Sequence, residues 1–192
     1  MAQEQAFCLP HSGAVLFVGG TRSGKSDWAL RFAEARATER LFIATALVCD
    51  AETRARRDRH QAQRGQGWHT LEAPVDVLPA LQTAAATYPV VVVDCITFWL
   101  CNLQEHGLSK EQILGSVREL AGWLAASPLP VAVVTSELGQ GIVPISPMGR
   151  DFRDLAGETN QILAAACPTV VLVTCGLVLT LKGALPQELH KV

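Results

Sequence analysis

The hydrophobic positions of this chain form short apolar runs that alternate with longer amphipathic stretches. Apolar runs rich in β-branched residues predict buried strands over residues 15–18, 41–45, 90–93, 131–135, 169–174 and 177–181. Apolar residues at helical spacing predict helices over residues 27–33, 75–87, 113–124 and 152–166. This alternation indicates an α/β fold whose largely parallel sheet is covered by helices on both faces, and the last two strands can form a C-terminal hairpin.

Composition limits the number of domains and the kind of partner. A chain of 192 residues with 49% hydrophobic content can bury one ordinary core, so we expect a flexible extension over residues 1–13 and a single domain over 14–192. The first twelve residues lack the basic and apolar regions of a signal peptide, and no apolar run approaches the roughly 18 residues of a membrane span. A formal net charge of −2 gives no general attraction to nucleic acid. We therefore expect a cytoplasmic protein with a small-molecule partner.

The six cysteines point to the same compartment. They show neither C-x-x-C pairs nor the spacing of a zinc site, and several lie in apolar runs. A reduced cysteine in such a run behaves as a small core residue.

Eight consecutive residues match the phosphate-loop pattern G-x-x-x-x-G-K-[ST] without a mismatch. They are Gly19, Gly20, Thr21, Arg22, Ser23, Gly24, Lys25 and Ser26. A predicted strand precedes them and a predicted helix follows, so backbone N–H groups and the positive end of the helix dipole would face an anion. In such a loop Lys25 reaches the β- and γ-phosphates and Ser26 ligates Mg²⁺. The sequence therefore predicts a nucleoside triphosphate site in a single-domain, P-loop NTPase-like, RecA-like fold.

A carboxylate is expected to complete this site. Asp94 ends the valine run at 90–93, and an acid at the end of a buried strand is what the second Mg²⁺ position of a phosphate-loop enzyme requires. We expect Asp94 beside the phosphate loop, where it would reach the metal directly or through water. The alternative is a strand-end residue that caps the next segment.

Two further segments are unusual. Residues 50–64 carry a dense basic run, for which a solvated helix face is the ordinary explanation. The connection at 136–147 is longer than a compact α/β fold needs, and long ordered loops tend to be functional.

Taken in order, the motifs resemble the bifunctional adenosylcobinamide kinase / adenosylcobinamide-phosphate guanylyltransferase family of cobalamin biosynthesis. Besides the phosphate loop, the matching residues are 42–45, the arginine-rich run that ends at His60 with Trp68 and Glu72 downstream, 94–100 with 102–103, 137–144, and 152–157 with 160–161. A phosphate loop alone indicates only a nucleotide. Its combination with the Gly-x-Gly-Ile-Val-Pro and Phe-Arg-Asp-Leu-Ala-Gly segments is far more specific.

The resemblance implies two reactions. The aminopropanol hydroxyl of adenosylcobinamide is phosphorylated, and GMP is then transferred from GTP to that phosphate through a guanylylated histidine, whose position His60 occupies. Neutral imidazole is a competent nucleophile toward an activated phosphorus. Without the resemblance, His60 would be interpreted as a surface histidine. The implied cofactors are GTP, or ATP for the kinase step, and Mg²⁺, and the implied assembly is a small homo-oligomer.

The resemblance also assigns further residues to the GTP site. Besides the phosphate loop, they are Ala44, Thr45, Ala46, Gln61, Ala62, Gln63, Arg64, Glu72 and Asp94. The chain departs from the family pattern at Ser136, where asparagine is expected, and at Gln61, where a basic residue is commoner. These departures leave the corrinoid preference and the relative strength of the two activities open.

Other side chains have simpler expected roles. Arg150 and Arg153 could hold phosphate or pair with the neighbouring Asp151 and Asp154. The tryptophans at 28, 68, 99 and 123 are expected to pack in the core rather than bind a corrin, since each adjoins an apolar stretch, and His69 and His106 are expected at the surface.

Two other functions remain open at this point. A phosphate-loop kinase of another small alcohol would use Lys25, Ser26 and Asp94 and leave His60 idle. A nucleotide-dependent switch without catalysis would use the loop alone.

Overall fold

A computed structural model describes residues 13–47, 64–184 and 189. The strands are β1 (Gly13–Gly19), β2 (Arg40–Ala44), β3 (Trp68–Glu72), β4 (Val91–Asp94), β5 (Pro130–Ser136), β6 (Thr169–Thr174) and β7 (Leu177–Lys182). The helices in these ranges are α1 (Lys25–Glu34), α2 (Val77–Ala84), α3 (Ile96–Glu105), α4 (Lys110–Ala125) and α5 (Pro147–Ala166).

The strands form one sheet in the order β3-β2-β4-β5-β1-β6-β7. Every neighbouring pair is parallel except β6 with β7, which is antiparallel. The α/β fold with a largely parallel sheet is therefore confirmed, and so is the C-terminal hairpin. Because parallel strands point the same way, the carboxyl ends of β1 to β6 meet along one edge, where α/β proteins bind their ligands.

Helices cover both faces of the sheet. On one face, α1 buries Trp28 and Phe32 against Phe17 of β1, Phe42 of β2 and Val92 of β4. On the other face, side chains of α2 to α5 pack in a second and larger cluster against the opposite sides of the same strands. Burying a large apolar side chain stabilises the fold by about 1.5–3 kcal/mol. The face that carries α1 also carries the end of the phosphate loop, so this face positions the site described below.

Two elements of the structure were not predicted from the sequence. Residues 68–72 form β3, for which we predicted no strand, because this edge strand is mostly exposed and lacks an alternating apolar pattern. Residues 96–105 form α3, which we also did not predict. In the sheet, β5 lies between β1 and β4, so one strand separates Asp94 from the strand that leads into the phosphate loop.

The two longest described helices, α4 and α5, pack on the face opposite to α1, and each begins with a recognisable N-terminal cap. In α4, Ser109 and Gln112 form a capping box. In α5, the Ser146 hydroxyl accepts a hydrogen bond from the N–H of Gly149, and Pro147 occupies the first turn, where its missing N–H costs nothing. This cap starts α5 five residues before the predicted helix. No helix within the described ranges is long and apolar enough to cross a membrane.

Candidate nucleotide-binding site

The phosphate loop runs from the end of β1 to the start of α1. Gly24, which precedes α1, has a φ of 94°, a left-handed conformation that glycine adopts without strain. The N–H of Ser23 donates to the carbonyl oxygen of Gly20 over 3.3 Å, which closes the turn. The loop therefore leads directly into the N-terminus of a ten-residue helix, where backbone donors and the helix dipole favour an anion.

The C-terminal hairpin of β6 and β7 is hydrogen-bonded to the phosphate loop and to α1. The N–H of Gly176, in the β6–β7 turn, donates to the carbonyl oxygen of Ser23 over 2.9 Å. The indole Nε1 of Trp28 donates to the carbonyl oxygen of Gly176, also over 2.9 Å. Both bonds join the loop and α1 to a turn about 150 residues away in the chain, a contact that no sequence signal revealed. The antiparallel hairpin thus supports the phosphate loop.

Lys25 lies at the mouth of the loop. Its Nζ donates to the carbonyl oxygen of Gly20 over 3.0 Å, so the ammonium group spans the opening of the turn. An ammonium held there is placed to neutralise phosphate oxygens that enter the loop.

Two glycines at the start of the loop have different surroundings. A side chain at Gly19 would collide with the carbonyl oxygen of Val173 and the Oγ of Ser23, whereas one at Gly20 would meet no atom within 4 Å. We expect Gly19→Ala to lower the free energy of unfolding by about 1–3 kcal/mol because it overpacks β1 against β6. Gly20→Ala should change it by less than about 0.5 kcal/mol. Urea denaturation of both variants measures the difference, and equal losses would contradict the close approach at Gly19.

Three of the predicted nucleotide-site residues lie in one row across the sheet. Ala44 of β2 is in register with Glu72 of β3 on one side and with Asp94 of β4 on the other. Side chains alternate along a strand, so Asp94 lies on the same face as Val92, the face that α1 covers. The row therefore shares both its edge and its face with Lys25.

Arg64 lies over the same face. Its guanidinium carbon is 3.9 Å from the centroid of the Phe42 ring, and its Nη2 donates to the Oγ1 of Thr70 over 3.2 Å. Burial lowers the pKa of Arg64, and the Asp94 carboxylate opposes this lowering. A half-buried guanidinium thus lies within electrostatic range of the Asp94 carboxylate.

Thr45, directly after β2, is the centre of a buried hydrogen-bond network at this edge of the sheet. It is fully buried, and its Oγ1 both donates to the carbonyl oxygen of Cys95 and accepts from the N–H of Cys95, each over 2.7 Å. The Nδ2 of Asn102, also buried, donates to the carbonyl oxygens of Thr45 and Pro74 over 2.7 and 2.8 Å. Cys95 and Asn102, to which we assigned no role, therefore fix the ends of β2 and β4. The side chain of Thr45 is committed to this network.

The pKa of the Cys95 thiol is affected by its burial and by two charged groups of the site. Burial, with a further contribution from the Asp94 carboxylate, raises the pKa of Cys95 to about 12, and Lys25 acts in the opposite direction. The thiol is therefore protonated at neutral pH and behaves as a packing group.

Comparison with known protein families shows to which family this chain belongs. The family model described as "Cobinamide kinase / cobinamide phosphate guanyltransferase" matches residues 15–181. This chain belongs to that family. The resemblance inferred from the sequence motifs is thereby confirmed.

Two curated relatives show how much of the chain is shared. The bifunctional adenosylcobalamin biosynthesis protein CobP of Pseudomonas aeruginosa is 35% identical over 174 residues, covering 88% of this chain and 96% of the relative. The bifunctional adenosylcobalamin biosynthesis protein CobU of Escherichia coli K12 is 33% identical over 183 residues, covering 88% of this chain and 99% of the relative. Among solved structures, the P4 protein from bacteriophage phi6 in complex with ADP matches with a TM-score of 0.47 and 14% identity, over 88% of this chain and 54% of that chain.

The cobinamide kinase family motifs converge on one edge of the sheet. The phosphate loop, Ala44, Ala46, Glu72 and Asp94 all lie at or beside the carboxyl ends of the strands. Arg64 precedes β3, and its side chain contacts Thr70 and the Phe42 ring. The described residues do not include His60, Gln61, Ala62 and Gln63, nor residues 1–12 of the expected extension. The roles of all these residues remain predictions.

Arg150, in the first turn of α5, binds the long loop that follows β5. Its Nη1 donates to the carbonyl oxygens of Pro144 and Ile145 over 3.0 and 2.6 Å, a contact that we did not predict. Arg153 forms only a loose pair with Asp154, at 3.9 Å. Arg150 therefore fixes the loop of the Gly-x-Gly-Ile-Val-Pro motif.

The expectations for tryptophans and histidines are confirmed. Trp28 and Trp99 are buried, while Trp68 and Trp123 are partly buried and pack against the two core clusters. His69 and His106 are exposed.

Proposed function

We propose that this chain phosphorylates cobinamide and then transfers GMP from GTP to cobinamide phosphate, with the triphosphate of both reactions bound at the phosphate loop. The observation that supports this most is a complete phosphate loop with Lys25 across its mouth, in a chain whose family match extends over residues 15–181. Both reactions require the negative charge of a bound triphosphate to be neutralised, and this loop supplies the groups for it.

In the kinase step, the acceptor hydroxyl attacks the γ-phosphorus. Lys25 and the N-terminus of α1 stabilise the charge that develops on the phosphoryl oxygens. Because these groups are already positioned by β1, α1 and the hairpin, little reorganisation is needed when the triphosphate binds. ATP and GTP both present the triphosphate that this loop would hold, and we propose that GTP is the nucleotide of the second step.

In the guanylyl step, His60 is proposed to attack the α-phosphorus of GTP and release pyrophosphate. The resulting phosphoramidate then transfers GMP to an oxygen of cobinamide phosphate, and the imidazole is regenerated. Arg64, the first described residue after His60 in the chain, lies near Asp94, where its guanidinium can hold phosphate oxygens.

The donor atoms at this edge fit Mg²⁺. The Ser26 hydroxyl, in the first turn of α1, and the Asp94 carboxylate, on the face that α1 covers, supply the oxygen ligands that Mg²⁺ prefers. Mg²⁺ needs only one or two protein ligands because it keeps several waters and binds substrate phosphates. When bound, the ion would neutralise charge on the β- and γ-phosphate oxygens.

The partner, the location and the assembly of the enzyme are further parts of the proposal. A net charge of −2 gives no general attraction to nucleic acid, so we propose a small-molecule corrinoid, adenosylcobinamide, as the partner. We also propose a small homo-oligomer, as the resemblance implies, and a cytoplasmic location, as the cysteines in apolar runs indicate. Light scattering on the purified protein would measure its assembly.

The proposed function is tested by covalent labelling. Incubation with α-labelled GTP and Mg²⁺ should transfer label to the protein, and added cobinamide phosphate should discharge it. Label from γ-labelled GTP should instead appear on cobinamide. A protein that never labels from α-labelled GTP but phosphorylates cobinamide would be a kinase alone.

The role of Asp94 leads to a separate prediction. We expect Asp94→Asn to raise the Mg²⁺ concentration for half-maximal activity by roughly tenfold or more, because an amide is a weaker ligand than a carboxylate. Both rates should be titrated with Mg²⁺. Asp76→Asn is the matched control, because Asp76 precedes α2 without a side-chain cap and asparagine serves equally well there. An unchanged Mg²⁺ requirement in a folded Asp94→Asn protein would exclude Asp94 as a metal group.

A further inference from the structure

Glu137 follows β5 directly and has no role in the mechanism so far. We propose that it is the general base of the kinase step, taking the proton from the cobinamide hydroxyl as that oxygen attacks the γ-phosphorus. This inference rests on the proposed function and adds a catalytic residue to it.

The backbone of Glu137 is bound to the start of the phosphate loop. β5 pairs with β1 in register from Gly13 with Pro130 to Gly19 with Ser136. The N–H of Glu137 continues this ladder by donating to the carbonyl oxygen of Gly19 over 3.1 Å. Glu137 thus stands one strand away from the residue at which the phosphate loop begins.

The other carboxylates at the strand ends are farther away. Neighbouring strands lie about 4.8 Å apart, so Glu137, directly after β5, is about 5 Å from β1, Asp94 on β4 about 10 Å and Glu72 on β3 about 19 Å. Among the strand-end carboxylates in the described ranges, Glu137 is therefore the one nearest the position of the γ-phosphate. Asp94 is better placed for a metal that bridges phosphate and protein through water.

The side chain of Glu137 is oriented by its own loop. Its Oε1 accepts a hydrogen bond from the N–H of Gly139, while no described residue donates to its Oε2. The preceding residue is also fixed, because the N–H of Ser136 donates to Thr97 Oγ1 over 2.9 Å and its carbonyl oxygen accepts from Asn160 Nδ2 over 3.1 Å. One carboxylate oxygen is thus anchored and the other is available as a proton acceptor, which is the preorganisation that a general base requires.

The step balances with the groups named. The hydroxyl oxygen forms a bond to the γ-phosphorus while the bond from that phosphorus to the β–γ bridging oxygen breaks. The leaving nucleoside diphosphate takes the electron pair, and the hydroxyl proton passes to the Glu137 carboxylate and then to solvent. The guanylyl step attacks with an imidazole and then with a phosphate oxygen, neither of which carries a proton that must be removed. Glu137 should therefore matter to the first reaction and not to the second.

Glu137→Gln is the direct test. The amide oxygen of glutamine can still accept the hydrogen bond from Gly139, so the loop keeps its anchor while the proton acceptor is lost. We expect the kinase kcat to fall by roughly 10²-fold or more, the usual contribution of a general base. Guanylyl transfer, assayed separately with GTP and synthetic cobinamide phosphate, should stay within about threefold of wild type. Added formate should restore part of the kinase rate of Glu137→Ala and none of the kinase rate of Glu137→Gln. A purely structural role of Glu137 does not produce this difference.

A second variant displaces the carboxylate without removing it. A side chain at Gly139 would lie 2.8 Å from Glu137 Oε1, whereas one at Gly141 would meet no atom within 4 Å. Gly139→Ala should therefore lower the kinase rate and Gly141→Ala should not. Wild-type kinase rates after Glu137→Gln, or equal losses of both activities, would overturn the assignment. Failure of the proposed function itself would instead appear as a wild-type protein that leaves cobinamide unphosphorylated.

Discussion

Replacing Lys25 with alanine is expected to lower kinase and guanylyl transfer together, each by about 10²-fold or more. The ammonium group spans the mouth of the phosphate loop, where it is bound to the carbonyl oxygen of Gly20. Removing a preorganised cation from developing phosphate charge costs about this much in the enzymes where it has been measured. Steady-state rates for both reactions, measured separately, give the result.

Lys110→Ala provides the matched control for Lys25→Ala. Lys110 begins α4, is exposed, and pairs with Glu158 over 2.6 Å, so its loss removes a lysine without touching the site. Exposed ion pairs contribute little to stability, so both rates should stay near wild type. If either reaction survived Lys25→Ala at the wild-type rate, the two reactions would not share one triphosphate site.

Replacing His60 with alanine is expected to separate the two reactions. Guanylyl transfer should be lost, because water cannot replace a positioned nitrogen nucleophile at the α-phosphorus. The kinase step uses no enzyme nucleophile, so the variant should still form cobinamide phosphate and accumulate it. Chromatography of the products after incubation with cobinamide and GTP distinguishes this from wild type, which should proceed to the GDP derivative.

The covalent label provides an independent check on His60. In wild type, label from α-labelled GTP should be lost in acid and retained in base, as expected for a phosphoramidate and unlike a serine or threonine ester. His69→Ala is the matched control, since His69 is an exposed histidine that contacts Glu39 over 2.8 Å. A His60→Ala protein that still becomes labelled would falsify the assignment of this histidine.

Short-range patterns were sufficient for the elements that carry the chemistry. The phosphate loop is a contiguous motif, and its strand and helix follow from apolar spacing on either side, so β1, the loop and α1 could all be predicted. The valine run before Asp94 predicted β4 for the same reason, because a strand buried on both faces is apolar at every position. The exposed edge strand β3 gave no such signal because its residues show no alternating apolar pattern, whereas β7, also mostly exposed, was predicted from its apolar residues.

Long-range pairing was not accessible in this way. No local pattern indicates that β5 inserts between β1 and β4, or that the Gly176 turn holds the phosphate loop through Ser23 and Trp28. Strand order depends on how the whole set of apolar faces is buried at once, and many orders satisfy the same local propensities. The hydrogen bonds of Thr45 with Cys95 and Asn102 follow from that order as well.

The sequence by itself determined that this protein has a phosphate loop with Lys25 and Ser26, an α/β architecture, and the motifs of the cobinamide kinase family. These properties reside in contiguous residues, whose chemistry and periodicity are independent of distant partners. Only the tertiary structure decided which side chains share the edge with the loop. It placed Asp94 two strands from β1 and Glu137 one strand from β1. It also placed the Arg150 guanidinium against the loop that precedes α5. The physical reason is that reach across a sheet depends on strand order and register, which form only when the core is packed.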